Sequence, residues 1–581
     1  MAARLTAFLV VLIVAATVVA GLIVGAQRDD ETGPVDLLVY NGKVFTADGR
    51  ATFAEAVAIR GNQVLRVGSN REIQPLRRKA TVVVDAHGGA VLPGFNDSHL
   101  HFVSGGLGLE RANLLDATTL ADIQQEIAAF AAAHPDRPWV LGRGWYYEPF
   151  PGGLPTRELL DAVVADRPAQ MVAYDGHTSW VNSRALQLAG ITRRTPNPKN
   201  GVVVKDPKTG EPTGVLKEAA MSLVSKVIPE PSRDDRRLAL RAAVEQAHRF
   251  GVTSVQNAHG SLDEFELYDE LRKQDGLKVR VYSAISADAS LTEVKADELD
   301  AIRTRYPDDP IFKTGAVKLM IDGVVEAHTA AMLAPYTNRP GVSGTPMMTQ
   351  ADLNRVVAMM DRRGWQVMIH AIGDAGIRMS LDAFEHAASV NPAPARGRRH
   401  RIEHIETTDP ADIPRFGKLG VIAAMQPFHA NPSPNQIGVW AGNIGPDRAS
   451  RGWVYRSIHE GGGRLAFGSD WPVVTLDPRF GLNMAVNRRT PEGTPEDGWY
   501  PDERLPLAVA IEAYTVGAAY ASFDEQRKGR LAPGMLADLV VLSSDIFAAP
   551  TSKLLDAKVD VTIFDGKIVY ERRTATDDKT N

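Results

Sequence analysis

The chain has 581 residues, 44% of them hydrophobic and 23% charged, with a formal net charge of −5. That is ordinary globular composition, long enough for more than one folding unit, and no dense basic block points to a nucleic-acid partner. Cysteine is absent, which excludes disulfides, thiolate metal ligands and a cysteine nucleophile, so any metal must be held by His, Asp, Glu or a modified Lys.

In chain order the first feature is an apolar run, Leu5 to Ala26, 22 residues in which Thr6 and Thr17 are the only polar ones. At about 1.5 Å per helical residue it spans a hydrocarbon core of roughly 30 Å. Arg4 precedes it and Arg28, Asp29, Asp30 and Glu31 follow. It reads as an N-terminal transmembrane helix or, with Val24-Gly25-Ala26 as a cleavage site, as a signal segment. Either reading gives an exported body: membrane-anchored outside the cytoplasm, or secreted or periplasmic if the segment is cleaved.

After residues 1–30, residues 36–45, 56–65 and 81–85 read as short strands broken by Asn41-Gly42 and Gly61-Asn62. Residues 537–542 and 559–570 repeat the form near the far end. Each set alone would leave an apolar face uncovered, so the two ends, 35–93 and 526–573, are expected to form one small β-sandwich. A polar tail, 574–581, follows. Between them, over 94–525, strand and helix alternate. Eight candidate strands fall at 95–101, 252–257, 278–284, 313–320, 365–370, 400–404, 420–426 and 464–469. Amphipathic helices are expected at 261–275, 351–363, 374–390, 447–460 and 505–521. The fold class is therefore α/β, a (β/α)8 TIM barrel, with an inserted lobe at about 135–230 over the barrel mouth.

Ligand-type residues recur at the ends of these strands. In Pro93-Gly-Phe-Asn-Asp-Ser-His99-Leu-His101 the two histidines are two apart, so on a strand both imidazoles point to one side. Other strands end in Val367-Met-Ile-His370, Arg401-Ile-Glu-His404 and Phe467-Gly-Ser-Asp470. These are C-terminal strand ends, the face on which barrel active sites form. Lys318, inside the apolar run Ala316-Val-Lys-Leu-Met-Ile-Asp322, is costly there unless its charge is paired or removed. It could pair with Asp322 or Glu326.

By these residues the chain resembles the amidohydrolase superfamily. The closer resemblance is to the amidohydrolase 3 (YtcJ-like) family, through His370-Ala-Ile-Gly-Asp374, Arg401-Ile-Glu-His404, Phe467-Gly-Ser-Asp-Trp-Pro-Val473, Gly534-Met-Leu-Ala-Asp-Leu-Val-Val541 and Asp175-Gly-His-Thr-Ser-Trp-Val-Asn182. The resemblance implies one or two divalent metals, zinc first, with Fe2+, Co2+ or Mn2+ as alternatives, on His99, His101, His370, His404 and Asp470. It implies Lys318 as a further ligand, carbamylated if it bridges two ions. Such a site lowers the pKa of a bound water toward about 7. Asp470 is then both ligand and general base. Glu403 and Asp374 flank ligands and would orient them.

His177 and Trp180 in the lobe, and His328 and His429 past the fourth and seventh strands, are candidates for substrate contact; His259 is a weaker one. His87, His134, His248, His386, His400 and His459 carry no chemical role. Arg143-Gly-Trp145 fits the family's lobe, whereas Tyr146 and Ala327-His328 depart from its pattern. The expected reaction is hydrolysis of a non-peptide carbon–nitrogen bond in a small molecule: formamide-like, N-acyl or cyclic amide. An ester or lactone hydrolase, an isomerase on the same site, and a non-catalytic exported binding protein stand as alternatives, and a homo-oligomer stays open.

Overall fold

The computed structural model of the protein describes residues 35–573 apart from 175, 177 and 200. The apolar segment 5–26, the tail 574–581 and His177 therefore lie outside the described residues. Among those described, no helix is long and apolar enough to cross a membrane.

Eight strands form one parallel sheet: β1 (Phe95–Leu100), β2 (Val252–Gly260), β3 (Arg280–Ser286), β4 (Phe312–Met320), β5 (Gln366–Ala371), β6 (Arg401–His404), β7 (Ile422–Met425) and β8 (Arg464–Phe467). Each pairs in parallel with its sequence neighbour. β5, β6 and β7 are buried along their whole length, as strands covered on both faces must be. The sheet nearly closes on itself beyond the tips of β1 and β8. There the Asp470 N–H donates to the His99 carbonyl (2.7 Å) and the His101 N–H to the Trp471 carbonyl (2.8 Å). Gly468 makes this approach possible: a Cβ would stand 2.5 Å from the His99 nitrogen. The architecture is α/β with a nearly closed eight-stranded parallel barrel, consistent with a TIM barrel.

The helices start where side chains can cap them. Ser261 caps Leu262–Lys273, and Thr349 caps Gln350–Arg362. Ser232 and Asp235 form a reciprocal cap on Arg233–Arg249. Two expected helices differ. The periodic run 447–460 splits into Pro446–Ala449 and Tyr455–Glu460. Between them Trp453 takes φ +48°, its N–H donates to the Glu406 carbonyl, and its ring packs 4.5 Å from Trp440. Burying that indole overrides the helical pattern. The run 505–521 is helical but widens into a π-helical turn at Ala513–Gly517.

Between β1 and β2 lies a separate six-stranded sheet, in the order Gly201–Lys205, Pro212–Glu218, Thr178–Val181, Ala169–Ala173, Val140–Trp145, Ala112–Asn113. Its edge strand Ala112–Asn113 lies upstream of the interval read as the insert. Two hydrogen bonds among the described residues link the lobe to the barrel's C-terminal rim. Arg143 donates to the Pro472 carbonyl, and the Tyr174 hydroxyl reaches Asn435 (2.6 Å).

The chain ends meet in another six-stranded sheet, where Leu539–Leu542 runs antiparallel to Ala90–Pro93. A four-stranded sheet of residues 37–85 shares an apolar cluster with it: Leu37, Val39 and Ile59 against Val91, Leu539 and Ile563.

Candidate metal centre

The strand ends bring His99, His101, His370, His404 and Asp470 around one point. The tightest group is His99, His404 and Asp470, all buried, with one ligand atom from each within 4.8 Å of the others. His101 Nε2 lies 3.1 Å and His99 Nε2 3.5 Å from Asp470 Oδ1, and His404 Nδ1 lies 3.9 Å from Asp470 Oδ2. His370 packs edge-on against His404 (4.4 Å between rings), with Nε2 3.4 Å from the Gly323 carbonyl oxygen. His404 (φ +75°) and Asp470 (φ +61°) hold left-handed backbone. Such backbone costs a residue of this kind about 1–3 kcal/mol and is typical of sites that the surrounding fold holds in place.

The electrostatics favour metal ligation. Burial, with the Lys318 charge nearby, pushes His99 down to about 4 and His370 to about 3, and burial holds His404 well below its usual value. All three imidazoles are neutral, the form that binds metal. Burial opposes the Asp470 charge, but the His101, His99 and His404 rings around it hold its carboxyl well below the usual range. Asp470 is thus an anion among neutral imidazoles.

The decisive feature is what these atoms lack. His99 Nε2, His404 Nδ1 and Asp470 Oδ1 are buried and find no hydrogen-bond partner among the described residues. Each such atom costs about 1–3 kcal/mol, so three at one point need a partner the protein does not supply. Two imidazole nitrogens and a carboxylate oxygen suit a borderline divalent ion. The residues present fit a metal.

A further layer fixes the ligands. His99 Nδ1 lies 2.5 Å from Glu403 Oε2. Arg401 grips the same carboxylate from Nε (2.5 Å) and Nη2 (2.9 Å). Burial would raise Glu403, but Arg401 and His99 bring it to about 2, so it is ionised and can only accept. His99 must therefore donate from Nδ1, leaving the Nε2 lone pair toward the site.

Lys318 is 2% exposed on β4 and makes no ion pair among the described residues. Burial lowers its pKa, against the pull of Glu403 and Asp470. Asp322 does not pair with it, since its carboxylate is taken by the N–H groups of Ala331, Ile372 and Gly373. Asp374 likewise turns away from the ligands, to accept the Leu333 N–H.

Among the expected substrate contacts, His429 joins the group. Its Nε2 lies 3.7 Å from Asp470 Oδ2, and its ring stacks on His404 at 6.1 Å. His328 points to Asn338 (3.0 Å) and the Tyr336 ring, and touches none of the cluster. Trp180 requires correction. It is 0% exposed, its indole N–H donates to the Thr156 carbonyl, and its ring packs on Phe150 and Trp145, so it belongs to the lobe core and offers a substrate nothing. Sequence reasoning missed Glu406, whose carboxylate lies 3.7 Å from His429 Nδ1 and accepts the Trp440 indole N–H (2.8 Å). Its position two residues past His404 was the available signal.

Comparison with known proteins agrees with this geometry. The model of the amidohydrolase family matches residues 82–570. The chain is 33% identical over 548 residues to Protein LONG AFTER FAR-RED 3 of Arabidopsis thaliana, covering 92% of this chain and 91% of that protein. It is 29% identical over 542 residues to the putative amidohydrolase YtcJ of Bacillus subtilis, covering 92% and 99%. It is 26% identical over 545 residues to the N-substituted formamide deformylase of Arthrobacter pascens, covering 92% and 98%. An uncharacterized metal-dependent hydrolase from Pyrococcus horikoshii superposes with a TM-score of 0.70 at 25% identity, over 89% of this chain and 99% of that one. With a match of this extent, five ligand-type residues at four barrel strand ends and unsatisfied ligand atoms at their centre, the chain belongs to the amidohydrolase family, as a YtcJ-like metal-dependent hydrolase.

Proposed function

We propose that the protein hydrolyses a carbon–nitrogen bond other than a peptide bond in a small molecule, with formamide-like, N-acyl and cyclic amides as the substrate class. The observation that carries this is the trio of orphaned buried atoms on His99, His404 and Asp470. His99, His101, His370, His404 and Asp470 would hold one or two divalent ions, zinc first, with carbamylated Lys318 as the bridge in the two-ion form. Such an ion supplies Lewis acidity and a water acidic enough to attack at neutral pH. Asp470, ionised at the outset, takes the proton of the attacking water and hands it to the leaving nitrogen. Glu403 fixes the His99 tautomer throughout. His429, beside Asp470 and backed by Glu406, contacts the substrate over the site. The formamide deformylase relative supports the bond class.

Paired amide and ester panels on the zinc-loaded protein test this. Turnover of formamides, N-acyl amines or cyclic amides, with the matched esters slower, is the expected result; turnover confined to esters or lactones would replace it.

We also read the packed sheets of the two chain ends as a small β-sandwich under the barrel, and the 5–26 segment as the export signal or membrane anchor. Fractionation of native cells checks the second reading: the protein is expected in the membrane or exported fraction, and a soluble cytoplasmic form would overturn it.

A further inference from the structure

Among the described residues, two arginines close together at the barrel mouth meet no carboxylate, whereas several arginines elsewhere do. Arg398 is held by Asp361, Arg399 by Glu525 and Arg363 by Glu293. Arg111 and Arg143 are half-buried and form no ion pair among the described residues. Arg143 spends one N–H on the Pro472 carbonyl.

The fold puts the two together. Asn113 stands opposite Arg143 and Ala112 opposite Gly142 in parallel register. Arg111 directly precedes that edge strand, in the bend that leads into it, its N–H donating to the Gly108 carbonyl. Arg111 thus enters the sheet edge beside Arg143, near enough for the two charges to repel each other. The helix Phe102–Leu109 anchors the pair to the rim from below: a Cβ on Gly105 would run into the Trp471 ring, and one on Gly108 would rest 3.8 Å from the Pro472 Cβ. Arg143 senses both the Arg111 charge, which repels it, and the Asp470 charge, which attracts it. Burial lowers both guanidinium pKa values. Neither side chain has a nitrogen sealed from water without a partner, so their free N–H groups reach solvent. Tyr146, stacked 4.8 Å from Tyr174, flanks the pair as an aromatic wall. Asp116 and Glu148 lie near Tyr146, but neither pairs with either arginine among the described residues.

We propose that Arg111 and Arg143 form an anion subsite that binds a carboxylate carried by the substrate, within a small molecule's length of Asp470. Two like charges kept together in a partly desolvated cleft are unfavourable until an anion joins them. The planar guanidinium fork matches a carboxylate. Pro472, held by Arg143, is two residues from Asp470, so the subsite and the reacting bond are set by one loop. This inference deepens the amide-hydrolase reading and rests on it: the substrate is an amide whose acyl or amine part carries a carboxylate.

The test is calorimetric titration of the zinc-loaded full chain with glutarate and, separately, with the neutral glutaramide. The wild type should bind glutarate more tightly, and Arg111→Gln should weaken glutarate by about 10-fold or more while leaving glutaramide within about 2-fold. Arg143→Gln should do the same, but it also frees Pro472, so Arg111→Gln carries the decision. Lys273→Gln, on the far helix after β2, controls for loss of charge alone and should change nothing. Equal binding of the two ligands, no glutarate binding by the wild type, or an unchanged Arg111→Gln overturns the subsite. The two readings fail separately. Glutarate binding that depends on Arg111, with no turnover on any amide, would spare the subsite and sink the hydrolase; amide turnover indifferent to a carboxylate would do the reverse.

Discussion

The two ends of the barrel treat buried charge in opposite ways. At the N-terminal end, Arg280 opens β3 and is 3% exposed, yet every charge around it is answered. It meets Asp538 from Nε (2.6 Å) and Nη2 (2.9 Å), and Asp565 from Nη2 (2.8 Å). Nearby, Lys313 at the start of β4 meets Asp524 at 2.7 Å. The Arg280 pairs tie the barrel floor to the sheet that Asp538 and Asp565 flank. At the C-terminal end, residues just as buried leave His99 Nε2, His404 Nδ1 and Asp470 Oδ1 unanswered. A closed network serves stability, and an open one of the same depth is a site waiting for something to bind. Substitutions at the two ends should therefore separate activity from stability.

The largest effect belongs to the open end. Asp470→Asn should reduce turnover by about 10³-fold or more, consistent with loss of a general base and a ligand, while the thermal midpoint moves little. Steady-state kinetics beside a melting curve checks both halves. Unchanged turnover would remove the base assignment, and gross unfolding would mean that the open end is structural after all.

The closed end should answer in the other currency. Arg280→Met leaves Asp538 buried and Asp565 half-buried without their cation and should cost about 3 kcal/mol in denaturant unfolding, with metal content per folded molecule unchanged. A loss of metal without a loss of stability would break the contrast.

Glu403 sharpens it, because it is a closed pair serving the open site. Glu403→Gln keeps the shape but not the charge that fixes His99 and should weaken metal affinity about 10–100-fold in a chelator competition. An unchanged affinity would reduce the Arg401–Glu403 network to packing.

The smallest effect is a pH dependence at the N-terminal end, beside the starts of β5 and β6. Asp361 accepts from Arg398 (2.8 Å), His400 (3.1 Å) and Asn391 (2.9 Å). Burial opposes its charge, but His400, Arg398 and Asn391 bring its carboxyl down to about 2. Its stabilisation is complete above the ordinary carboxyl pKa near about 4 and is lost as pH falls through about 2. Asp361→Asn should thus cost about 2 kcal/mol at neutral pH and only a few tenths, about 0.4 kcal/mol, near pH 2. A deficit undiminished at pH 2 would assign the effect to shape.

Much of this was legible in the residues. The eight parallel strands follow from continuous apolar runs bounded by turns, and the ligand positions from their recurrence at strand ends, which local pattern records directly. Trp180 misled because a motif states that a residue recurs without saying whether its ring faces the cleft or the lobe core; the second turned out true. The 447–460 helix failed because Trp453 gains more from packing on Trp440 than from continuing a periodic run. Glu406 and the partners of Asp322 depend on loops between distant strands, and no spacing along the chain encodes them. The same holds for Arg111 and Arg143, 32 positions apart in sequence (143 − 111) and neighbours only through the lobe sheet.

Elemental analysis of the purified protein, prepared without chelators, tests the central claim most directly. The account expects one to two equivalents of divalent transition metal per chain, two if Lys318 is the carbamylated bridge, and their loss when both His99→Ala and His101→Ala are introduced. No bound metal after reconstitution with zinc and bicarbonate, or full retention in the double variant, would contradict it.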